Sequence, residues 1–183
     1  MNPNIKLYIE FFELKLKEAN EWGKKGEMGM VRSTMKDSVE LLLDLIWKTE
    51  KGGESKKNDF IESTSKNGYT LKFQVDRHLY TNELKGLCEC KSYLDRCFME
   101  RASSDFGRIK NGISENPKTF ILALEDAVGK NGFNYYMDEG NIDNVFFLCD
   151  GKRSPKKPIW KDEFKKSINE SKLEKFIEFI KNI

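Results

Sequence analysis

Three charged side chains stand at regular spacing inside an otherwise apolar stretch: Asp76 after Val75, then Glu89 and Lys91 in Leu87-Cys88-Glu89-Cys90-Lys91. The stretch reads as two short strands joined by a polar turn over 82–86. A strand repeats every two residues, so Glu89 and Lys91 share one face while Cys88 and Cys90 point to the other. Pairing of the two strands brings Asp76 beside Glu89. Two neighbouring carboxylates repel each other unless a cation lies between them. Mg²⁺ suits that position, because it takes a few carboxylates and keeps several of its waters. The main-chain carbonyl of Cys90 adds an oxygen donor. A divalent ion there polarises a phosphoryl oxygen and makes water a usable nucleophile near neutral pH. Lys91 would orient that water or stabilise developing negative charge. Together these are the parts for hydrolysis of a phosphodiester.

Glu-x-Lys alone says little, since it starts at Glu13, Glu54, Glu83, Glu89, Glu163 and Glu170. Only the Glu89 instance lies in an apolar strand frame with an acidic strand just before it; the others fall in segments that read as helix or loop. A plain salt-bridge pair on an edge strand is the competing explanation, and the cysteine-flanked, apolar setting argues against it.

The run Val75-Asp76 … Glu89-Cys90-Lys91 resembles the signature of the PD-(D/E)XK nuclease superfamily, and more closely that of small type II restriction endonucleases, with Val75 standing where the signature has proline. By element order the resemblance spans residues 30–125. It implies a restriction-endonuclease-like α/β core, a central mixed sheet flanked by helices, in which Asp76 and Glu89 bind Mg²⁺ and Lys91 assists the nucleophilic water. It also implies a further acidic residue on a helix before the hairpin. Glu40, in Ser38-Val39-Glu40-Leu41-Leu42, is the matching candidate, and Glu62 a weaker rival. Taken alone, Glu40 beside an apolar stripe is equally a solvated boundary residue. The implied activity is Mg²⁺-dependent cleavage of double-stranded DNA by a sequence-specific type II enzyme. Such an enzyme is expected to act as a homodimer, since one small domain carries one active centre and both strands must be cut. The alternatives are a junction resolvase, repair nuclease or nicking enzyme of the same architecture, and a non-catalytic DNA-binding module.

The elements that must position these residues follow from periodicity. Residues 5–22 form a helical stripe of Ile5, Tyr8, Ile9, Phe12, Leu16 and Ala19, and 33–48 a second one of Met35, Val39, Leu42, Leu43 and Ile46. The polar, glycine-bearing stretch 50–58 reads as a loop. Residues 69–80 alternate as one strand, and 87–91 form the next. A helix is expected over 93–109, with Leu94, Cys97, Phe98, Ala102 and Phe106 inward. Residues 119–124 and 145–148 are apolar strands of the buried kind, and 131–143 a polar, aromatic-bearing insert between them. Pro155 and Pro158 mark a turn, and a helix runs over 162–183 with Leu173, Phe176, Ile177 and Ile180 as core or dimer seam. That order predicts an α/β domain on a mixed sheet, 1–183 as one unit.

The chain has 183 residues with 34% charged and 38% hydrophobic, and a net charge of only +2. Bulk positive charge therefore does not hold nucleic acid; local patches must. Arg96, Arg101 and Arg108 recur on the helix after the motif, either facing phosphates or paired with Asp95, Glu100 and Asp105. Lys152 and Arg153 open a basic loop after an apolar strand, and Asn131 and Asn134 stand in the insert; both sets are candidate DNA contacts, or ordinary turn and surface residues. His78, the sole histidine, lies two past Asp76, as a possible base or a packed side chain. Four cysteines, Cys88, Cys90, Cys97 and Cys149, lack zinc-site spacing. With no visible signal peptide or spanning segment, free thiols point to the cytoplasm and away from a membrane.

Overall fold

The computed structural model describes residues 2–150 and 167–183. In chain order these form α1 (Ile5–Lys24), α2 (Met28–Lys51), β1 (Glu54–Lys57), β2 (Phe60–Thr64), β3 (Thr70–Gln74), β4 (Arg77–Tyr80), β5 (Leu84–Leu94), α3 (Arg96–Gly112), β6 (Lys118–Asp126), α4 (Lys130–Asp138), β7 (Asn144–Phe147) and α5 (Glu170–Asn182). The main sheet runs β1-β4-β5-β6-β7. Its first three strands are antiparallel, and β5-β6-β7 are parallel. β2 and β3 make a separate hairpin.

Alternation along the central strands divides the core in two. Cys88, Cys90, Phe120 and Leu122 pack against Val39, Leu42 and Leu43 of α2 and Phe176 of α5. Leu87, Ile121 and Ala123 pack with Met99, Phe106 and Ile109 of α3. With both faces covered, β6 is buried from Thr119 to Glu125, which is why its sequence is a continuous apolar run rather than an alternating one. The α5 stripe of Leu173, Phe176, Ile177 and Ile180 lies in the first of these cores.

Several expectations need correction. The strand expected over 69–80 is two strands, β3 and β4, that serve different sheets. Its neighbour breaks at the same level, where Asn58 takes a left-handed φ of 50° between β1 and β2. Across the break, Asn58 N–H donates to Asp76 C=O (3.1 Å), Val75 N–H to Asp59 C=O (3.5 Å) and Gln74 Nε2 to Asn58 C=O (3.1 Å). The stretch 50–58 is not a loop: α2 runs to Lys51, Gly52 caps it at φ 65°, and β1 follows as an edge strand. An exposed edge strand needs few apolar residues, so composition hid it. Glu54-x-Lys56 therefore lies on a strand too. β5 extends to Leu94, and α3 starts after Asp95, whose carboxylate accepts the Phe98 N–H at 3.0 Å as N-cap. Cys97 is exposed, not inward. The 131–143 insert begins as helix α4 rather than as a loop. The expected turn at Pro155 and Pro158, and residues 162–166 of the expected last helix, lie outside the described residues. No helix among the described residues is long and apolar enough to cross a membrane.

Candidate active site

The break between β3 and β4 places Asp76 where the sheet opens. Arg77 pairs with Cys88 in the antiparallel β4–β5 ladder, so Asp76 comes level with Glu89. Asp76 Oδ2 accepts the Cys90 N–H at 2.9 Å and Lys91 Nζ at 2.7 Å, and Oδ1 accepts Lys36 Nζ at 2.8 Å. Lys91 Nζ also pairs with Glu89 Oε2. One ammonium thus joins the two carboxylates, and the Lys91 side chain is only 12% exposed. These groups line a cleft of about 340 Å³ together with Lys36, Gln74 and Arg101.

Glu40 reaches the same neighbourhood from α2. Its carboxylate is 1% exposed and is not solvated at a helix boundary. Oε2 faces Arg77 Nη1 at 2.8 Å and Lys57 Nζ at 3.1 Å; Oε1 faces Lys36 Nζ at 3.2 Å. Lys36 therefore stands between Glu40 and Asp76, as Lys91 stands between Asp76 and Glu89. Arg77 is the tie beneath. Its guanidinium is bidentate on Asp44 (Nε–Oδ1 2.7 Å, Nη2–Oδ2 3.1 Å), and Nη1 donates to the Asp76 carbonyl at 2.9 Å. The start of β4 is fastened to α2 by a planar fork that lysine has no means to reproduce.

The electrostatics follow from burial and these partners. Burial pushes Asp76 up, but the Lys91 charge, the hydrogen bonds from Lys36 and Lys91 and the Cys90 N–H together hold it well below the usual carboxylate range. Burial, with the Asp76 charge beside it, leaves Glu89 raised despite Lys91. Burial lowers Lys91, yet Glu89 and Asp76 outweigh it and raise its pKa. Lys91 is thus an ammonium at neutral pH, a donor and a charge rather than a base.

The donor set is hard oxygen: two carboxylates, plus the Cys90 backbone, whose N–H faces Asp76 and whose carbonyl lies on the same strand edge by the alternation of β5. Among the described residues no group of three or more His, Cys, Asp or Glu side chains stands ready to hold a metal ion. Two carboxylates nevertheless fit Mg²⁺, which is commonly held by one or two and keeps its waters. The shared Lys91 ammonium shows that the pair already draws positive charge between its members.

The other candidates are scattered. Arg101 lines the cleft, 70% exposed and 4.0 Å from Asp105. Arg96 lines a different crevice, between α3 and α4, beside Tyr136, so the structure does not bring the two arginines together. Arg108 borders a third cavity, under the β2–β3 hairpin. Asn131 and Asn134 fall on α4, Asn134 exposed. Lys152 and Arg153 lie outside the described residues. His78 is buried against Tyr80, lowered in pKa by that burial, and does not line the cleft. Glu62 is paired with Lys72 on the hairpin at 3.0 Å, away from the cleft. Sequence reasoning missed Lys36 and Arg77. The i,i+4 spacing of Lys36 and Glu40 was the available signal for the first; nothing in the sequence marked Arg77, whose partners come from another element.

No protein-family model matches the chain, and no curated protein matches it. Among solved structures, NucC of P. aeruginosa ATCC27853 in its cAAA-bound form is similar at 13% identity and a TM-score of 0.56, over 100% of this chain and 92% of that one. The architecture shared with it is the restriction-endonuclease-like α/β fold, a mixed five-strand sheet flanked by helices.

Proposed function

We propose that this chain is a Mg²⁺-dependent endonuclease of the PD-(D/E)XK superfamily, hydrolysing phosphodiester bonds of double-stranded DNA as a sequence-specific type II enzyme and working as a homodimer. The observation that carries the reading is the pairing of Asp76 and Glu89 on a single Lys91 ammonium, 12% exposed, at a break in the sheet of a restriction-endonuclease-like fold. A chance surface ion pair is not buried, nor backed by a backbone donor and a second lysine.

Asp76, Glu89 and the Cys90 carbonyl would hold the ion. Bound there, Mg²⁺ supplies Lewis acidity and water of lowered pKa. The chain's own residues do the remaining work. Lys91, protonated and packed over the Phe98 ring at 5.5 Å, orients the attacking water and meets charge developing on the phosphoryl oxygens. The Cys90 N–H fixes the Asp76 rotamer. Glu40 steadies the cleft through Lys36 and Arg77. Arg101 meets the DNA backbone at the cleft; Arg96, Asn131, Asn134, Lys152 and Arg153 are the further proposed DNA contacts.

Incubation of supercoiled plasmid and long linear DNA with Mg²⁺, followed by sequencing of the fragment ends, tests this. One short motif at all ends supports type II restriction. Unrelated ends point to a structure-specific or repair nuclease, and DNA intact under every divalent ion tried would remove the nuclease reading.

A further inference from the structure

The β2–β3 hairpin is covered on its inner face for only part of its length. By its register, Ile61, Ser63, Leu71 and Phe73 share that face. Ile61 and Phe73 pack on the α3 core, and the Ser63 hydroxyl donates to the Arg108 carbonyl at 2.7 Å. Beyond that contact the hairpin stands off the helix: Leu71 is 58% exposed and Tyr69 75%. The space between is a groove of about 430 Å³, with Tyr69, Leu71 and Phe73 from the hairpin, Arg108 and Asn111 from α3, and Lys66 from the turn. No carboxylate lines it. Arg101 has Asp105 and Lys72 has Glu62, but Lys66 and Arg108 have no ion-pair partner among the described residues. Aromatic surface beside uncompensated cations and a side-chain amide suits a nucleotide, whose base stacks, whose edge meets the amide and whose phosphate meets the cations. The groove also continues the cleft. Phe73 lines the one and Gln74 the other, and Arg108 follows Arg101 along the same face of α3, two turns or about 10 Å further on.

We propose that this groove is a second subsite for the DNA, in which Tyr69 stacks on an unpaired base of the strand leaving the cleft while Lys66 and Arg108 hold its phosphates. The inference rests on the DNA reading of the cleft and adds that the strand is met unpaired beyond the cut. Size decides against a duplex in the groove, because a recess of about 430 Å³ has the dimensions of a small-molecule site. Charge favours a polyanion over a second copy of this chain, whose net charge is +2. A base drawn from a duplex must first be unpaired at a cost in binding, so DNA that already carries an unpaired end binds better.

The test is fluorescence anisotropy with the full chain, without metal, on a labelled duplex made blunt, with a thymidine overhang, or with an overhang of abasic sugar-phosphate. Wild type is expected to bind the thymidine overhang about tenfold more tightly than the abasic one, in the range of one stacked base. Tyr69→Ala should abolish that difference and leave blunt-duplex binding unchanged; the side chain is exposed, so folding does not depend on it. Arg108→Met should weaken both overhangs alike. Equal affinity of wild type for the two overhangs, a preference kept by Tyr69→Ala, or overhang binding undiminished in Arg108→Met would each overturn the subsite while the DNA reading of the cleft stands. Sedimentation of the free protein should give Tyr69→Ala the mass of wild type; a lower mass would assign the groove to contact between copies and overturn the proposal. No binding of any of these DNAs would overturn the DNA reading of the cleft and this inference with it.

Discussion

Replacing Arg77 by methionine asks whether the ion cluster beneath Asp76 holds the site together. The guanidinium is 2% exposed and the Glu40 carboxylate 1%. Removing one partner of a buried pair costs about 3–5 kcal/mol, because the remaining charge is left without compensation in a poorly solvated place. Two features reduce the figure here. Glu40 keeps Lys57 and Lys36 at 3.1 and 3.2 Å, and Asp44, at 32% exposure, recovers some water. The expected loss is therefore at the lower end, about 3 kcal/mol. Urea unfolding at neutral pH measures it as a lower midpoint at unchanged slope. The double variant Arg77→Met with Glu40→Leu removes both charges and is expected to recover about 2 kcal/mol of that loss, since buried ion pairs replaced together by apolar groups are often nearly neutral. Cleavage by Arg77→Met, assayed where it is folded, should fall about 100-fold, because Asp76 loses the donor on its carbonyl and moves. A single variant within about 1 kcal/mol of wild type, with undiminished cleavage, would refute the view that this cluster positions Asp76.

Three further outcomes follow from other parts of the structure. Burial acts to raise Glu50, but hydrogen bonds from Tyr8 (2.6 Å), Asn2, Asn4 and Lys181 hold it down to about 2; its stabilisation is therefore complete above the ordinary value of 4.5 and lost as pH falls toward 2, up to about 3 kcal/mol. Urea midpoints of wild type should drop between pH 5 and pH 2 more steeply than those of Glu50→Gln, and parallel curves would contradict the assignment. At Gly112 an added Cβ would lie 1.9 Å from Ser63 Oγ and 2.7 Å from Thr64 N, so Gly112→Ala should displace the β2–β3 hairpin and lower stability by about 1–3 kcal/mol; an unchanged Tm would show that the hairpin is not packed on α3 as described. Arg101→Met should make DNA binding less salt-sensitive, lowering the slope of log K against log salt by about 1, and an unchanged slope would remove Arg101 from the DNA path.

The parts of this fold that could be read from sequence are those fixed by local periodicity. The α1 and α2 stripes and the apolar β6 run bury what their spacing predicts, except that Ile9 of the α1 stripe is only partly buried. The neighbourhood of Asp76, Glu89 and Lys91 was legible because strand alternation and a short turn leave little freedom in register. What was missed depends on partners far along the chain. The separation of β3 from β4 is set by where each ribbon finds a neighbour, β1 is an edge strand with no apolar face to announce it, and α4 was obscured by its glycine, asparagines and tyrosines. Arg77 resembles any strand arginine until α2 brings Glu40 and Asp44 to it. Glu40 looked like a boundary residue because a stripe one position wider or narrower cannot be told apart before the sheet covers it.

The most direct test of the account pairs cleavage with binding for Asp76→Asn, which keeps the shape of the side chain and removes its charge. With Mg²⁺, wild type is expected to linearise supercoiled plasmid, while the variant leaves it closed and still shifts the same DNA in a gel without metal. A variant that cuts as fast as wild type would contradict the chemistry placed at Asp76, Glu89 and Lys91.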